Sequence, residues 1–386
     1  MVNTMGSKLA LRLLGIGVLI AAAVLAQETV LPGTAIKINL PKDSPVAFLT
    51  LDPRDSRFAA RGAAIMVDLD ALLTMRNTSS NRIHGITLRV VSQEAAMGGK
   101  ASMCIPRLNI GPGEVFPIHI VQHLVRPTAL ASGPLVEVSL DGVLFQNLAF
   151  YGPDQLHSRR DMIAWEMEAQ RDRNYFKQVL ARGGRVALQS AMLQEMARIQ
   201  DRPQLDRPVM LRGPAVASAA VAIPERTERF AFVAFPDSPV EPVEGTAVVV
   251  GDRVAAPHIE VRNRGHVAVR HVEIGWLVRD PSGQQYLAAS VPSSQPDLQL
   301  GAGQTAAFAQ DASMKISRNG QPLDIRGMTG FVSQVEFADG KVWVPTRQNL
   351  DQTFLRNVLP PSAEVLRLTE LYRKGMDGLI AELNQP

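Results

Sequence analysis

The stretch HIEVRNRGHVAVRHVEIGWLV, His258 to Val278, gathers three of the chain's seven histidines: His258, His266 and His271. Imidazoles are the commonest protein ligands for zinc and can move protons near neutral pH. A zinc centre wants three or four ligands, and the ligand count limits the case here. His266 and His271 are therefore only weak metal candidates. The enzymatic alternative they support is a metal-assisted hydrolase. His119 and His123, in IHIVQHL, would share one face of a strand, with Ile118 and Ile120 on the other. They read as solvent-facing strand residues. The lone cysteine, Cys104, sits between Met103 and Ile105, with no cation beside it to lower its pKa. It reads as a small buried hydrophobe, and one cysteine forms no internal disulfide. Glu168 and Asp172 stand one helical turn apart near Glu166, but Arg171 and Arg173 surround them. That pattern is a salt-bridged helix face rather than an acid–base pair. There is no Gly-x-Ser-x-Gly elbow, no His-Glu-x-x-His, no phosphate loop and no dinucleotide-binding glycine fingerprint. No catalytic residue is assigned, and no cofactor is expected.

The elements that must hold these residues come from an internal repeat. LTMRNTSSNRIHGITLRVV (Leu73–Val91) lies against IEVRNRGHVAVRHVEIGWL (Ile259–Leu277) without a gap, at an offset of 186. Arg76-Asn77 falls on Arg262-Asn263. The apolar residues alternate, pause at a turn and resume, which predicts strand, turn, strand. His258, His266 and His271 fall on Leu72, Ser80 and Gly85, so the shared frame does not demand histidine. Apolar parity slips by one between Val269 and Val272, which puts His271 on a bend and His266 in the turn. Downstream, LNIGPGE (Leu108–Glu114) matches LQLGAGQ (Leu298–Gln304). VEVSLDGVLF (Val136–Phe145) and SQVEFADGKVW (Ser333–Trp343) each set Asp-Gly between apolar stretches, which predicts a hairpin in both. DSPV recurs at Asp43 and Asp237, a hint at where each unit begins.

Short strands at such spacing predict a mostly β chain with two antiparallel β-sandwiches. The second unit resembles the immunoglobulin-like sandwiches of exported bacterial proteins, of the FxLYD/CARDB kind. The resemblance rests on Asn263, Asp280-Pro-Ser-Gly283 and Leu300-Gly-Ala-Gly303. It spans about Val240–Arg347, and more loosely Pro45–Pro153. It implies adhesion, spacing or assembly, and brings no catalytic residues.

Between the units the period becomes helical. SRRDMIAWEMEAQRDRNYFKQVLARGG (Ser158–Gly184) carries Met162, Trp165, Ala169, Phe176 and Leu180 near one face. Ser158 and Asp161 resemble a capping box, and Gly183-Gly184 ends the helix. A second helix, Arg185 to about Gln200, completes a hairpin. At the C-terminus Ser362 caps another helix that carries Val365, Leu368, Tyr372, Leu379 and Leu383, with the hairpin as its favoured partner. The expected domains are a signal segment at 1–26, a first sandwich at 27–157 and a hairpin with linker at 158–208. A second sandwich at 209–347 and a helical tail at 348–386 complete them. PVEPVEG (Pro239–Gly245) reads as a semi-rigid lead-in to the second sandwich.

Lys8 and Arg12 precede an apolar run ending in Val24 and Ala26, the layout of a cleaved export signal. An uncleaved N-terminal anchor, making a membrane-tethered subunit of an envelope complex, is the alternative. Net charge is +3, which gives no electrostatic footprint for nucleic acid. The expectation is a non-catalytic exported binding or scaffold protein of the cell envelope. Its protein-contact residues would be Trp165, Glu168, Arg171, Arg173 and Tyr372.

Overall fold

A computed structural model describes residues 29–94, 98–130, 133–206, 209–211, 225–293, 297–310 and 313–385. The expected export segment, 1–26, lies outside the described residues. The chain is mostly β, 46% strand against 23% helix, as the period-two patterning predicts. No helix among the described residues is long and apolar enough to cross a membrane.

The first half holds β1 (Thr29–Val30), β2 (Ile36–Asn39), β3 (Val46–Asp52), β4 (Arg57–Arg61), β5 (Ala64–Asn77), β6 (Ile83–Val91), β7 (Lys100–Ile110), β8 (Val115–Pro127), β9 (Val136–Phe145) and β10 (Phe150–Tyr151). These make two five-stranded sheets. In one, β3 and β4 share an edge of β5, β8 takes the other edge, and β1 adds to β4. In the other, β6 lies between β7 and β9, and β9 carries the parallel β2 and the short β10. Both sheets contribute to one apolar cluster, with Leu69, Leu73, Met75 and Ile120 from the first and Ile86, Leu88, Val90 and Val138 from the second. Alternation of buried residues, strict along β5 and broken at Gln122 in β8, is what aims one face of that sheet into the cluster.

The second half repeats this pairing with β11 (Val209–Leu211), β12 (Arg226–Val233), β13 (Val240–Val250), β14 (Arg253–Asn263), β15 (Val269–Arg279), β16 (Gln285–Pro292), β17 (Thr305–Ala309), β18 (Ser313–Lys315), the small β19–β20 ribbon (Ser317–Arg318, Gln321–Pro322), β21 (Gly327–Phe337) and β22 (Val342–Trp343). β13 on β14 stands for β3 and β4 on β5. β17 and β18 stand for β8. β16, β15 and β21 stand for β7, β6 and β9, and β22 for β10. β12 begins antiparallel to β13 and ends parallel to β21, as β1 and β2 do between them on β4 and β9.

The same polar pins recur. Asn77 and Asn263 are fully buried at the ends of β5 and β14. Asn77 Nδ2 donates to the carbonyls of Asn81, Ile110 and Gly111, and its Oδ1 accepts from Ser79 N–H. Asn263 Nδ2 donates to Val267 and Leu300, and its Oδ1 accepts from Gly265 N–H. Glu114 and Gln304 each accept from the N–H three residues back, at Gly111 and Gly301. Ser44 and Ser238, in the two DSPV tetrads, each close a turn on the second residue ahead, Val46 and Val240. The tetrad is therefore framework, not chance.

Three local readings are corrected. Asp141-Gly142 is not a hairpin turn, because Val136–Phe145 is one continuous strand. Asp141 is buried and accepts from the Gln155 and Leu156 N–H groups, while the Phe150 ring lies over Gly142. Burial overrides the local turn signal there. The true counterpart of the Asp339-Gly340 turn ends at Leu148, which is left-handed (φ 65°) as Gly340 is (φ 80°). Phe145 N–H donates to Ala149, and Phe337 N–H to Lys341. Pro239–Gly245 is not a lead-in, since β13 begins at Val240, and Pro242 sits beside a register shift. Ser158 is no cap, since its hydroxyl donates to Thr87 Oγ1, and Asp154 Oδ1 takes the Arg159 N–H instead.

Helix α1 (Arg159–Asp201) is interrupted at Gly184, whose φ of 65° and ψ of −160° are non-helical. Asp172 and Glu195 would stand about 34 Å apart on one straight helix. Instead one guanidinium, that of Arg347, reaches both, at 3.4 and 3.9 Å. The chain doubles back at Gly184, so α1 is a hairpin. After β22 come α2 (Arg347–Asp351), α3 (Leu355–Val358), α4 (Ala363–Lys374) and α5 (Met376–Leu383). Ser362 caps α4 by accepting the Val365 N–H. Gly375, at φ 144°, splits the tail into α4 and α5. Val365, Leu368, Leu379 and Leu383 close on Phe176, Leu188 and Met192, so the tail packs on the hairpin.

Candidate functional site: the charged seam around the helical hairpin

The densest set of ionisable side chains lines the hairpin where it meets both halves and the tail. Its scaffold is apolar. Met162, Ile163 and Ala164 of α1 lie between Leu144 of the first half and Val342 and Val344 of the second, with Cys104 and Phe150 against them. Around that wedge the charges are consumed in pairs. Arg159 donates to the Gly340 carbonyl at 3.1 Å. Arg160 meets Asp297 at 3.0 Å and Glu336 at 3.5 Å. Arg171 bonds Asp172 at 3.2 Å and the Pro345 carbonyl at 3.0 Å. Arg347 stacks over Tyr175, 4.0 Å from the ring centroid, while touching Asp172 and Asp351. Glu195 accepts from Arg198 at 2.5 Å and Arg356 at 2.9 Å. Arg173 and Arg367 share Glu364, at 2.9 and 2.8 Å.

Burial opposes ionisation of Asp172 and Glu195, but their arginines outweigh it and hold both carboxyls below the usual range. Both are therefore fixed anions. Nearer β15 and β21 the balance reverses. Burial, then the charge of Glu273, pushes the Asp161 carboxyl up to about 6. Burial likewise raises Glu168, against the pull of Arg171, and raises Glu336, against Arg160. Burial pushes the Cys104 thiol up, the opposite of an activated nucleophile.

The residues singled out by sequence fall in different places. Trp165 is 41% exposed on α1. Glu168, Arg171 and Arg173 lie within the seam, the last two spending their guanidiniums on this chain. Tyr372 is half-buried against the hairpin cluster. His258 and His266 are exposed, one on β14 and one in the turn. His271 is buried on a bulge of β15, where its pairing with β21 slips. Its Nδ1 is 3.0 Å from Ser293 Oγ, which also takes the Val272 N–H. Burial, then Arg160, lowers His271 to about 4, which keeps the ring neutral near pH 7. His119 and His123 face outward as expected. Each meets an acid across the ladder that the sequence reading missed, Asp70 at 2.7 Å and Asp68 at 2.6 Å. Among the described residues no group of three or more His, Cys, Asp or Glu is placed to hold a metal ion. His84, 2.9 Å from Glu166, ties β6 to α1. No motif marks that pair, and only their meeting in space reveals it.

No protein-family model matches the chain, and no curated protein matches it. Among solved structures, a Bordetella pertussis protein described as ApaA aligns at 11% identity and a TM-score of 0.19, over 37% of this chain and 88% of that one. A β-glucosidase from Kluyveromyces marxianus aligns at 9% identity and a TM-score of 0.13, over 74% of this chain and 46% of that one.

Proposed function

We propose that the chain is an exported, non-catalytic binding or scaffold protein of the bacterial cell envelope, built on two immunoglobulin-like β-sandwiches. In the first half two sheets share one apolar cluster, while in the second ten strands, continuous through β12, share another. That arrangement supports the sandwich reading. One observation carries the functional reading: the hairpin is pinned to both halves by buried polar side chains. Arg160 and Arg171 hold it to the second half, and His84 with Glu166 holds it to the first. Side chains committed in this way fix two modules in one body, which suits a spacer or scaffold. Trp165 remains exposed beside the wedge, as the natural contact point for a protein partner.

Two experiments test this. Fractionation of expressing cells, with mass spectrometry of the mature N-terminus, should find the chain outside the cytoplasm and beginning at Gln27. An intact N-terminus in the membrane fraction would give the tethered form, and full-length protein in the cytoplasm would sink the export reading. A photo-cross-linking residue in place of Trp165 should capture one specific envelope protein in living cells. Failure to capture any would remove the contact assignment.

A further inference from the structure

We propose that β8 is an edge through which two copies of this chain pair, antiparallel, about a two-fold axis at Val121. β8 pairs with β5 along its whole length, from Ala64 opposite Pro127 to Arg76 opposite Val115. Among the described residues no strand lies on its other edge. Just past the strand, Thr128 N–H donates to the Ala63 carbonyl at 2.9 Å. Hydrogen-bonded pairs alternate along an antiparallel ladder. The even-numbered residues of β8 therefore bond to β5, and the odd-numbered ones aim their backbone groups away. Val125 agrees: its N–H donates to Gly98 and its carbonyl accepts from Gln93, not from β5. Pro117 also sits at an outward position, where its missing N–H breaks no bond to β5. Between these two, His119, Val121 and His123 present three outward sets of N–H and C=O. All three residues are exposed, Val121 by 51%.

The second half has covered the far end of this same edge. There the strand is divided into β17 and β18, and β11 lies antiparallel along β18, Val209 opposite Lys315. The frame thus accepts an extended antiparallel strand here. Folds normally cover, shorten or charge a long bare edge. Between Pro117 and Val125 β8 has none of these defences, since no Lys, Arg, Asp or Glu stands there.

The pattern of free groups selects the partner. Self-pairing about Val121 sets Val121 against its own copy, and His119 against His123 of the second copy. These pairs are of the hydrogen-bonded kind, so each exchanges two backbone bonds. One step further, Pro117 falls opposite Val125 of the second copy. One lacks an N–H, and the other has both groups occupied by Gly98 and Gln93. The ladder stops on both sides where both strands run out of free groups. Sliding the register by one rung sets Pro117 or Val125 against a free group and strands it. Two exposed valines also meet on the axis. The inference rests on the geometry of the first half and not on the envelope reading.

Sedimentation equilibrium of the purified full chain should give twice the chain mass in the micromolar range. Val121→Pro removes an outward N–H and no bond to β5, and Val121→Lys adds an edge charge. Both should return the monomer mass with unchanged circular dichroism. Val121→Cys should cross-link to itself under mild oxidation. Val115→Cys should not, since its two copies would stand about 40 Å apart. Monomer mass throughout the range, a dimer surviving Val121→Lys, or cross-linking at Val115→Cys as readily as at Val121→Cys would overturn the proposal.

Discussion

The two halves differ most tellingly at one matched position, Gly85 in the first and His271 in the second. Both sit where the pairing of a central strand slips. In the first half the bulge faces the hairpin, and a Cβ on Gly85 would come within 3.1 Å of Met162 Cε. In the second half the same bulge faces Ser293, and a ring fills it. The frame supplies the bend, and its neighbour decides the residue. The pattern recurs at the edges, where β8 is long and bare while β18 is short and covered by β11. Duplication keeps the interior pins and lets the borders diverge.

If the pins are common, breaking either should hurt alike. Asn77→Ala and Asn263→Ala each leave buried carbonyls and an N–H without partners. Each should lower unfolding free energy by about 4 kcal/mol in urea denaturation. A variant losing under about 1 kcal/mol would show that its half does not depend on the pin.

The bulge gives the next largest effect. Gly85→His should cost about 2–3 kcal/mol by driving Met162 off the first half. His271→Gly should cost less, about 1–2 kcal/mol, because Ser293 keeps its bond to Val272. Equal losses would deny that the hairpin sets the residue at Gly85.

A third test uses acidity. Asp161 holds its proton more tightly folded than unfolded, up to about 6. Its ionisation therefore opposes folding above that pH. Asp161→Asn should stabilise the chain by about 2 kcal/mol near pH 8. The gain should fade as pH falls from about 6 toward 4, where wild-type Asp161 is protonated too. His271 contributes the opposite slope over the same window, since it is held neutral down to about 4. A pH-independent gain would show that Asp161 is not desolvated by the hairpin. The smallest effects belong to the outer face. His119→Ala or His123→Ala should change stability by under about 0.5 kcal/mol, as exposed polar contacts do.

The sequence carries these features unequally. Asn77 and Asn263, Gly184 and the parity slip at His271 are legible because each acts through its own backbone or a nearby turn. Asp141-Gly142 misleads because a local turn signal is outweighed by burial that only the folded sheet supplies. The seam is illegible, since Arg347 finds Asp172, and Arg356 finds Glu195, across most of the second half. His119 and His123 are readable as outward-facing, but not their acids, because strand register is set by the whole ladder.

Amide hydrogen exchange read by mass spectrometry at rising protein concentration tests most directly the contrast between an open and a covered edge. Protection should grow with concentration in the peptide spanning Val115–Val125 and stay constant in β18, Ser313–Lys315, which β11 covers. Equal behaviour of the two peptides, whether both change or neither does, would contradict it.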